Sequence, residues 1–382
     1  MPWKEETVEQ QRTNFILLAN EEGCNFSAIC REFGITRKTG YKWLERYRQG
    51  VSLGDQSRAP YFHPRQTPAE MEELILSVRI NHPTWGPRKI LRNLADKGNE
   101  GLPAASTVAS ILKRNGFVTP EQSACHTPVK RFERDEPNDL WQMDFKGHFG
   151  MCDGNRCHPL TIKDDHSRNL LCLDAYDNEQ WISVKGSLDR VFRENGLPNS
   201  ILCDNGAPWG NNKQGYTLFE LMMMQMDILP IHGRPLHPQT QGKDERFHRT
   251  LNEDVLKRIP IRNLIHAQEV FDAYRIEFNT ERPHEALDLD VPAKHYRKSK
   301  RAMPERLLEP EYDIGKTLRK VNYKGYISIR QHRYYLSETF IDKYIELIPV
   351  DENILALCYG NFVIAKINLA EELFVSRRIY RR

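Results

Sequence analysis

What most constrains the fold of this chain is the stretch from Trp141 to Leu251, where apolar spacing shifts between strand and helix periods and acidic residues fall at the ends of the segments so defined. In Trp141-Gln142-Met143-Asp144-Phe145-Lys146-Gly147, Trp141, Met143 and Phe145 alternate with polar residues. This predicts a half-buried strand with Asp144 on its polar side. Asp204 ends the short apolar run 199–203 and precedes the turn dipeptide Asn205-Gly206, which places it at the carboxyl end of a second strand. Glu245 lies in a segment that opens at Gly242 and reads as a helix to Leu251. On that helix Gln241, Glu245, His248 and Asn252 share a face while Phe247 and Leu251 lie opposite, so the sheet should pack behind Glu245. Asp244 points about 100° away round the helix and should not share a ligand set with Glu245.

An aspartate before Asn-Gly is ordinarily turn chemistry, and a glutamate on a helix face is ordinarily solvated. Taken together, three carboxylates at strand ends and on a helix face form a set of hard oxygen ligands suited to Mg²⁺, with Mn²⁺ as a substitute. Two such ions would serve an in-line displacement at phosphorus. Asp164 and Asp165 are the rival acids, and their place in a predicted turn over 164–169 favours capping or turn bonding instead.

The flanking residues carry a family resemblance. Trp141-Gln142-Met143-Asp144, Asp165-His166-Ser167-Arg168, Cys203-Asp204-Asn205-Gly206, the run His237-Pro238-Gln239-Thr240-Gln241-Gly242-Lys243-Asp244-Glu245-Arg246-Phe247-His248-Arg249-Thr250-Leu251, and Asn279-Thr280-Glu281-Arg282-Pro283-His284 occur in that order. With them the chain resembles a bacterial insertion-sequence transposase of the DDE type, whose core is similar to retroviral integrase and folds like ribonuclease H. The resemblance implies that Asp144, Asp204 and Glu245 are the catalytic metal ligands of a two-ion site. On the functional reading Lys243, Arg246, His248 and Arg249 position DNA phosphates; on the plainer one they are solvated helix residues. Asp204 and Glu245 stand further apart than the family spacing, an excess assigned to the loop at 211–216.

Ahead of this core, helices are predicted over 6–22, 27–33 and 37–48, with Thr36 as a cap for the third. Helix, glycine turn and helix make a helix-turn-helix pattern, and its last helix presents Arg37, Lys38, Lys42 and Arg46 to DNA or, on the plainer reading, to solvent. A Ser, Gly and Pro-rich linker over 51–68 leads to a second three-helix unit, with helices at 69–81, 89–97 and 105–115. The segment His82-Pro83-Thr84-Trp85-Gly86-Pro87-Arg88 resembles its counterpart in these transposases. Two such units joined flexibly would read a long terminal repeat in two places. A tether over 118–138 enters the catalytic core at 139–296, and Arg297, Lys298, Lys300 and Arg301 form a basic run that is either a solvated linker or a phosphate contact. Within the core Leu221-Met222-Met223-Met224 reads as core filling. From 311 the pattern becomes short β stretches, predicting a small barrel of about five strands.

The expected architecture is therefore an α/β multidomain chain: two helix-turn-helix domains at 1–50 and 69–117, a ribonuclease H-like mixed-sheet core, and a small β-barrel domain at 311–382. At 382 residues the chain can bury cores of this size without disulfides. Its eight cysteines are scattered and expected to be reduced; Cys152 and Cys157 flank an Asp153-Gly154 turn and lack the partners of a zinc site. The net charge of +3 argues only weakly for a polyanionic partner, so the clustering of basic residues has to carry that argument. No apolar run has membrane-spanning length and the start lacks the apolar core of a signal peptide, so the expectation is a soluble, cytoplasmic, nucleoid-associated protein. The leading functional expectation is a transposase that binds the ends of its own element as a homodimer or larger assembly on double-stranded DNA, cleaving and rejoining strands. A catalytically inactive DNA-binding regulator and a ribonuclease H-like nuclease without strand transfer stay open.

Overall fold

The computed structural model describes residues 7–55, 66–118, 134–206, 208–210, 215–233 and 242–382. Most of the expected first linker and tether, most of the 211–216 loop, and the His237 to Gln241 part of the long motif lie outside the described residues. The chain divides between Gln66 and Thr67 into two compact units.

The first unit holds α1 (Val8–Ala19), α2 (Phe26–Glu32) and α3 (Arg37–Arg48). Each starts on a side chain that accepts an otherwise unpaired helical N–H: Thr7 from Gln10, Asn25 from Ala28 and Thr36 from Thr39. Phe15, Ile16, Cys30 and Trp43 form the core. Gly40 lets α3 cross closely, because a Cβ there would come within 2.8 Å of Cys30 Sγ and 2.9 Å of Phe15 Cζ.

The second unit begins with α4 (Ala69–Asn81), α5 (Pro87–Asp96) and α6 (Ala105–Arg114), packed around Ile75, Trp85, Ile90, Leu94, Val108 and Ile111. α5 starts two residues before its predicted position because Pro87 occupies its first turn, where a missing N–H costs nothing.

The central sheet contains β1 (Trp141–Phe145), β2 (Phe149–Gly150), β3 (Arg156–Asp164), β4 (Leu170–Tyr176), β5 (Ser200–Cys203) and β6 (Leu229–His232). Its order is β2-β3-β1-β5-β6, with β4 also on β3. β3 runs antiparallel to β1 and β4, whereas β1, β5 and β6 are parallel, so the sheet is mixed as expected. α7 (Trp181–Asn195) makes the crossover to β5 and packs Val184, Leu188, Val191 and Phe192 against Trp141 and Met143; α8 (Leu218–Gln225) joins that layer through Phe219, Met222 and Met223. α9 (Gly242–Leu251) and α10 (Leu264–Thr280) cover the other face, where Phe247, Leu251, Phe271 and Phe278 meet Leu170 and Leu173. β1 is therefore not half-buried. With helices on both faces Gln142 is 2% exposed, and only Asp144 keeps partial access to solvent. A π-helical turn, Asn252–Leu256, continues α9 and has no counterpart in the sequence expectation.

The C-terminal region contains β7 (Leu318–Lys320), β8 (Tyr326–Ile329), β9 (His332–Tyr335), β10 (Tyr344–Asp351), β11 (Ile354–Tyr359), β12 (Phe362–Asn368), β13 (Leu373–Ser376) and β14 (Tyr380–Arg381). Backbone pairing does not close these strands into the expected barrel. β7 and β10 to β14 form one open sheet, and β8 and β9 pair only with each other as a separate hairpin. Both pack on one core that includes Ile327, Phe340, Leu357, Tyr359 and Phe362. That core also takes Leu221, Met224 and Tyr216 from the central domain, so α8 fills two cores from opposite sides. Tyr216 donates from its backbone N–H to Ser337 (3.1 Å) and from its hydroxyl to the Ile364 carbonyl (2.6 Å). In the basic run, Arg301 closes on the carbonyls of Pro198, Met226 and Asp227, and Arg297 pairs with Glu136; Lys298 and Lys300 are exposed.

Candidate active site

Two of the three predicted ligands come together because of strand register. β1 and β5 are parallel neighbours with Trp141 beside Ile201 and Gln142 beside Leu202, so Asp144 on β1 and Asp204 just past β5 lie toward the same end of the two strands, and the charge of Asp204 is felt at Asp144. Neighbouring strands lie roughly 4.8 Å apart, so the two carboxylates feel each other. Asp144 also stands opposite Thr161 of β3, whose hydroxyl donates to the Asp144 carbonyl at 2.9 Å.

Asp204 is fixed by its own loop. Its Oδ1 accepts from the Gly206 N–H at 2.9 Å and from Trp209 Nε1 at 2.5 Å. A Cβ at Gly206 would sit 2.9 Å from Asp204 Oδ2, so a larger residue there would push that carboxylate aside. The Asp204 carbonyl bonds to His232 Nδ1 at 2.9 Å, and His232 Nε2 meets Glu220 at 3.1 Å. Burial opposes protonation of His232, but its bonds to Cys203 and Glu220 outweigh that and push it up to about 11. A charged imidazole thus clips β6 and α8 to the turn that bears Asp204. Trp209, Glu220 and His232 carried no signal in the sequence, because their partners are defined only by the folded sheet.

The charge around Asp144 is unusual. Burial, then the charges of Asp244 and Asp204, push its carboxyl up to about 8, against the pull of the Phe145 N–H and Lys163. The participation of Asp244 corrects the expectation that it turns away from the site. On α9 it belongs to the buried row with Phe247 and Leu251, and Lys163 of β3 draws it in at 2.8 Å. Lys163 also donates to the Lys243 carbonyl at 2.9 Å. Lys243 Nζ bonds Asp165 Oδ1 at 2.6 Å, and Gln142 Nε2 reaches the same oxygen at 2.6 Å. Lys243, expected on DNA, is thus engaged with the sheet. Asp164 accepts from Ser167 N–H, the Ser167 hydroxyl and Asn138 N–H, the turn-bonding role expected of it, and Asp165 anchors α9.

His248 also differs from its expected place on a DNA-facing surface. It lies inside, with Nε2 3.2 Å from Thr161 Oγ1 and Nδ1 3.9 Å from Asp144 Oδ2. Because Thr161 donates to Asp144, His248 must donate from Nε2. Burial and the nearby Lys163 and Lys146 hold it down at about 3, so the ring is neutral at ordinary pH. Arg246 and Arg249 are exposed, as are Arg37, Lys38 and Lys42 of α3; Arg46 lies partly over the Trp43 ring at 4.8 Å.

Glu245 is exposed, one turn before His248 on the same side of α9. The structure brings Asp144, Asp204 and Asp244 into electrostatic range. Among the described residues no three His, Cys, Asp or Glu side chains stand together as a ready-made cage for a metal ion. The donor chemistry nonetheless fits a hard divalent cation: the acids are oxygen donors, and burial together with the neighbouring acids disfavours charge on Asp144, which a bound cation would offset.

The fold is a mixed sheet with helices on both faces, preceded by two three-helix units. Comparison with known proteins agrees. Profiles described as Integrase core domain match residues 134–238 and 226–292; profiles described as Helix-turn-helix domain and Homeodomain-like domain match 11–61 and 39–112. The chain is 25% identical over 162 residues to an uncharacterized 31.7 kDa protein of insertion element IS407 from Burkholderia multivorans, covering 41% of this chain and 55% of that protein. It is 25% identical over 158 residues to an uncharacterized 39.2 kDa protein of insertion element IS476 from Xanthomonas euvesicatoria, covering 41% and 44%. The chain thus spans about half the length of these relatives. Among solved structures, the simian T-cell lymphotropic virus intasome in complex with a PP2A regulatory subunit is similar at 14% identity and a TM-score of 0.39, covering 81% of this chain and 100% of that one. The profile matches and the two insertion-element relatives support the resemblance to insertion-element proteins with an integrase-like core. No helix of the described residues is long and apolar enough to cross a membrane.

Proposed function

We propose that this protein is a transposase that binds the terminal repeats of its own element and cleaves and rejoins DNA at the Asp144 and Asp204 carboxylates. The observation that carries the reading is that Asp204, just past the end of β5, and Asp244, in the first turn of α9, both lie within electrostatic range of Asp144 on β1. Divalent ions, when bound, supply charge that favours attack of an oxygen nucleophile on phosphorus and stabilises the departing oxygen. Asp144 and Asp204 would hold Mg²⁺ or Mn²⁺, two ions per site, with Glu245 as the third ligand of the proposal. The Gly206 and Trp209 bonds orient Asp204, while Thr161 and neutral His248 fix the backbone and flank of Asp144. Exposed Arg246 and Arg249, with Arg37, Lys38, Lys42 and Arg46 of α3, are proposed to meet phosphates of double-stranded DNA. No nucleophilic side chain is needed, and joining two ends in concert calls for a homodimer or larger assembly.

The test is incubation of the purified chain with end-sequence DNA and Mg²⁺. Nicks and strand-transfer products are expected, and both should fall at least about 10²-fold in Asp144→Asn and Asp204→Asn. Cleavage sustained by Asp144→Asn would refute the assignment. The exposure of Glu245 favours one rival, an inactive DNA-binding regulator, which predicts end binding with no Mg²⁺-dependent products.

A further inference from the structure

The π-helical turn Asn252–Leu256 continues the helix that carries Glu245, and Asp254 lies within it. Asp254 points from this turn into a nearly closed junction. Its side chain is 9% exposed and that of Arg282, paired with it at 3.3 Å, is 7% exposed. The Tyr274 hydroxyl donates to Asp254 Oδ2 at 3.1 Å. The fourth group comes from the second helical domain: the Thr84 hydroxyl donates to Asp254 Oδ1 at 2.6 Å. Thr84 sits in the His82 to Arg88 segment between α4 and α5, whose sequence stands out and to which the active site assigns no role.

The same segment is pinned from several sides. Arg258 donates to the Asn81 carbonyl at 2.7 Å, and His82 meets Glu277 at 3.1 Å while its ring stacks on Trp85 at 3.8 Å. Further along α5, Arg92 pairs with Asp290, Asn93 donates to the Glu281 carbonyl at 3.3 Å, and Lys97 faces Glu281 at 3.4 Å. The junction is polar and ionic, so it is directional: it fixes one orientation of α4, α5 and α6 on the core, where an apolar seam would tolerate sliding. α6 has no part in these bonds and keeps Ser106, Ala109, Ser110 and Lys113 exposed.

We infer that Asp254 is a positioning residue that locks the second helical domain to the helix bearing Glu245, so that DNA held on that domain is presented to the catalytic edge in one register. The inference rests on the transposase reading for its consequence, while the lock itself stands on the observed bonds alone. Asp254 touches no reacting group; it acts through Thr84 and through its place on the α9 extension.

The full chain is compared with Asp254→Asn, Asp254→Ala and the double variant Thr84→Val with Arg92→Gln. The double variant leaves the buried Arg282 pair intact and so keeps the test open if the Asp254 variants do not fold. Amide hydrogen exchange over 81–97 is expected to quicken about tenfold in the double variant and in Asp254→Ala, and less in Asp254→Asn, which still accepts from Thr84, while β1 and β3 stay protected. On end-sequence DNA, affinity should hold within about threefold while the joining rate falls about tenfold, a split that general loss of structure would not produce. Exchange over 81–97 that matches the wild type in the double variant overturns the lock, whatever the enzyme does. Wild-type protein that joins no DNA overturns the transposase reading and leaves the exchange result to judge the lock.

Discussion

A carboxylate that is nearly buried beside two others raises a conflict between stability and function at Asp144. Its folded-state value of about 8 lies above the ordinary range near 3.8, so the charged form is disfavoured in the fold. Metal-free protein therefore loses stability as pH rises from about 4 to about 8, and regains it as the carboxyl takes up its proton on acidification. Asp144→Asn, which removes the charge at nearly constant shape, should raise the stability of metal-free protein by about 1–2 kcal/mol at pH 8 and much less at pH 4. Chemical denaturation at the two pH values checks this, and an equal effect at both would show that the crowding is not felt. The placing of Asp144 within a strand and of Asp204 just after one was legible in the sequence from their immediate neighbours, a strand alternation and an Asn-Gly turn. His232 was not: its partners Cys203 and Glu220 become neighbours only when β6 lies along β5.

At the scale of elements, the helix over Gly242–Leu251 was legible from its period, and so was the burial of Phe247 and Leu251. That Asp244 turns in to join the acids of the site was not, because that depends on Lys163, which a different strand supplies. The Lys163 and Asp244 side chains are 7% and 2% exposed, and breaking a buried pair costs more than removing it. Lys163→Met alone should cost about 3–5 kcal/mol, and Lys163→Met with Asp244→Leu much less; equal losses in the double-mutant comparison would refute the pairing. Gly40 presents a similar contest in α3. Alanine gains about 1 kcal/mol in helix propensity, but overpacking against Cys30 and Phe15 costs about 1–3 kcal/mol, so Gly40→Ala should loosen the first unit. Faster amide exchange in α1 and α3, with β1 and β3 unchanged, is the expected result, and slower exchange would reverse the sign. The half-buried strand read from Trp141 to Phe145 shows the same limit, since alternation cannot reveal that helices cover both faces.

For the whole molecule, the order of helical, mixed-sheet and β regions was readable because each change of period is a local property of the chain. Closure of the last region was not, because it depends on which strand edges meet, and β8 and β9 chose each other. The near-neutral total charge places the burden of the proposed DNA binding on local clusters. Replacing Arg37, Lys38 and Lys42 by alanine should weaken end binding and reduce the slope of log affinity against log salt by up to about 3, near 0.9 for each phosphate that the variant no longer neutralises. Titrations at several salt concentrations measure it, and an unchanged slope would return α3 to the solvent-facing reading.

Because α8 contributes Met222 and Met223 to one interior and Leu221 and Met224 to another, the C-terminal sheet is no detachable appendage. Cutting it away would strip the shelter from a methionine and leucine ridge and convert a dry seam into an adhesive surface. Trimmed versions of the central domain would then clump unless that ridge were repainted with polar side chains, so heritable change in this chain is expected to treat residues 139–382 as a single inheritance.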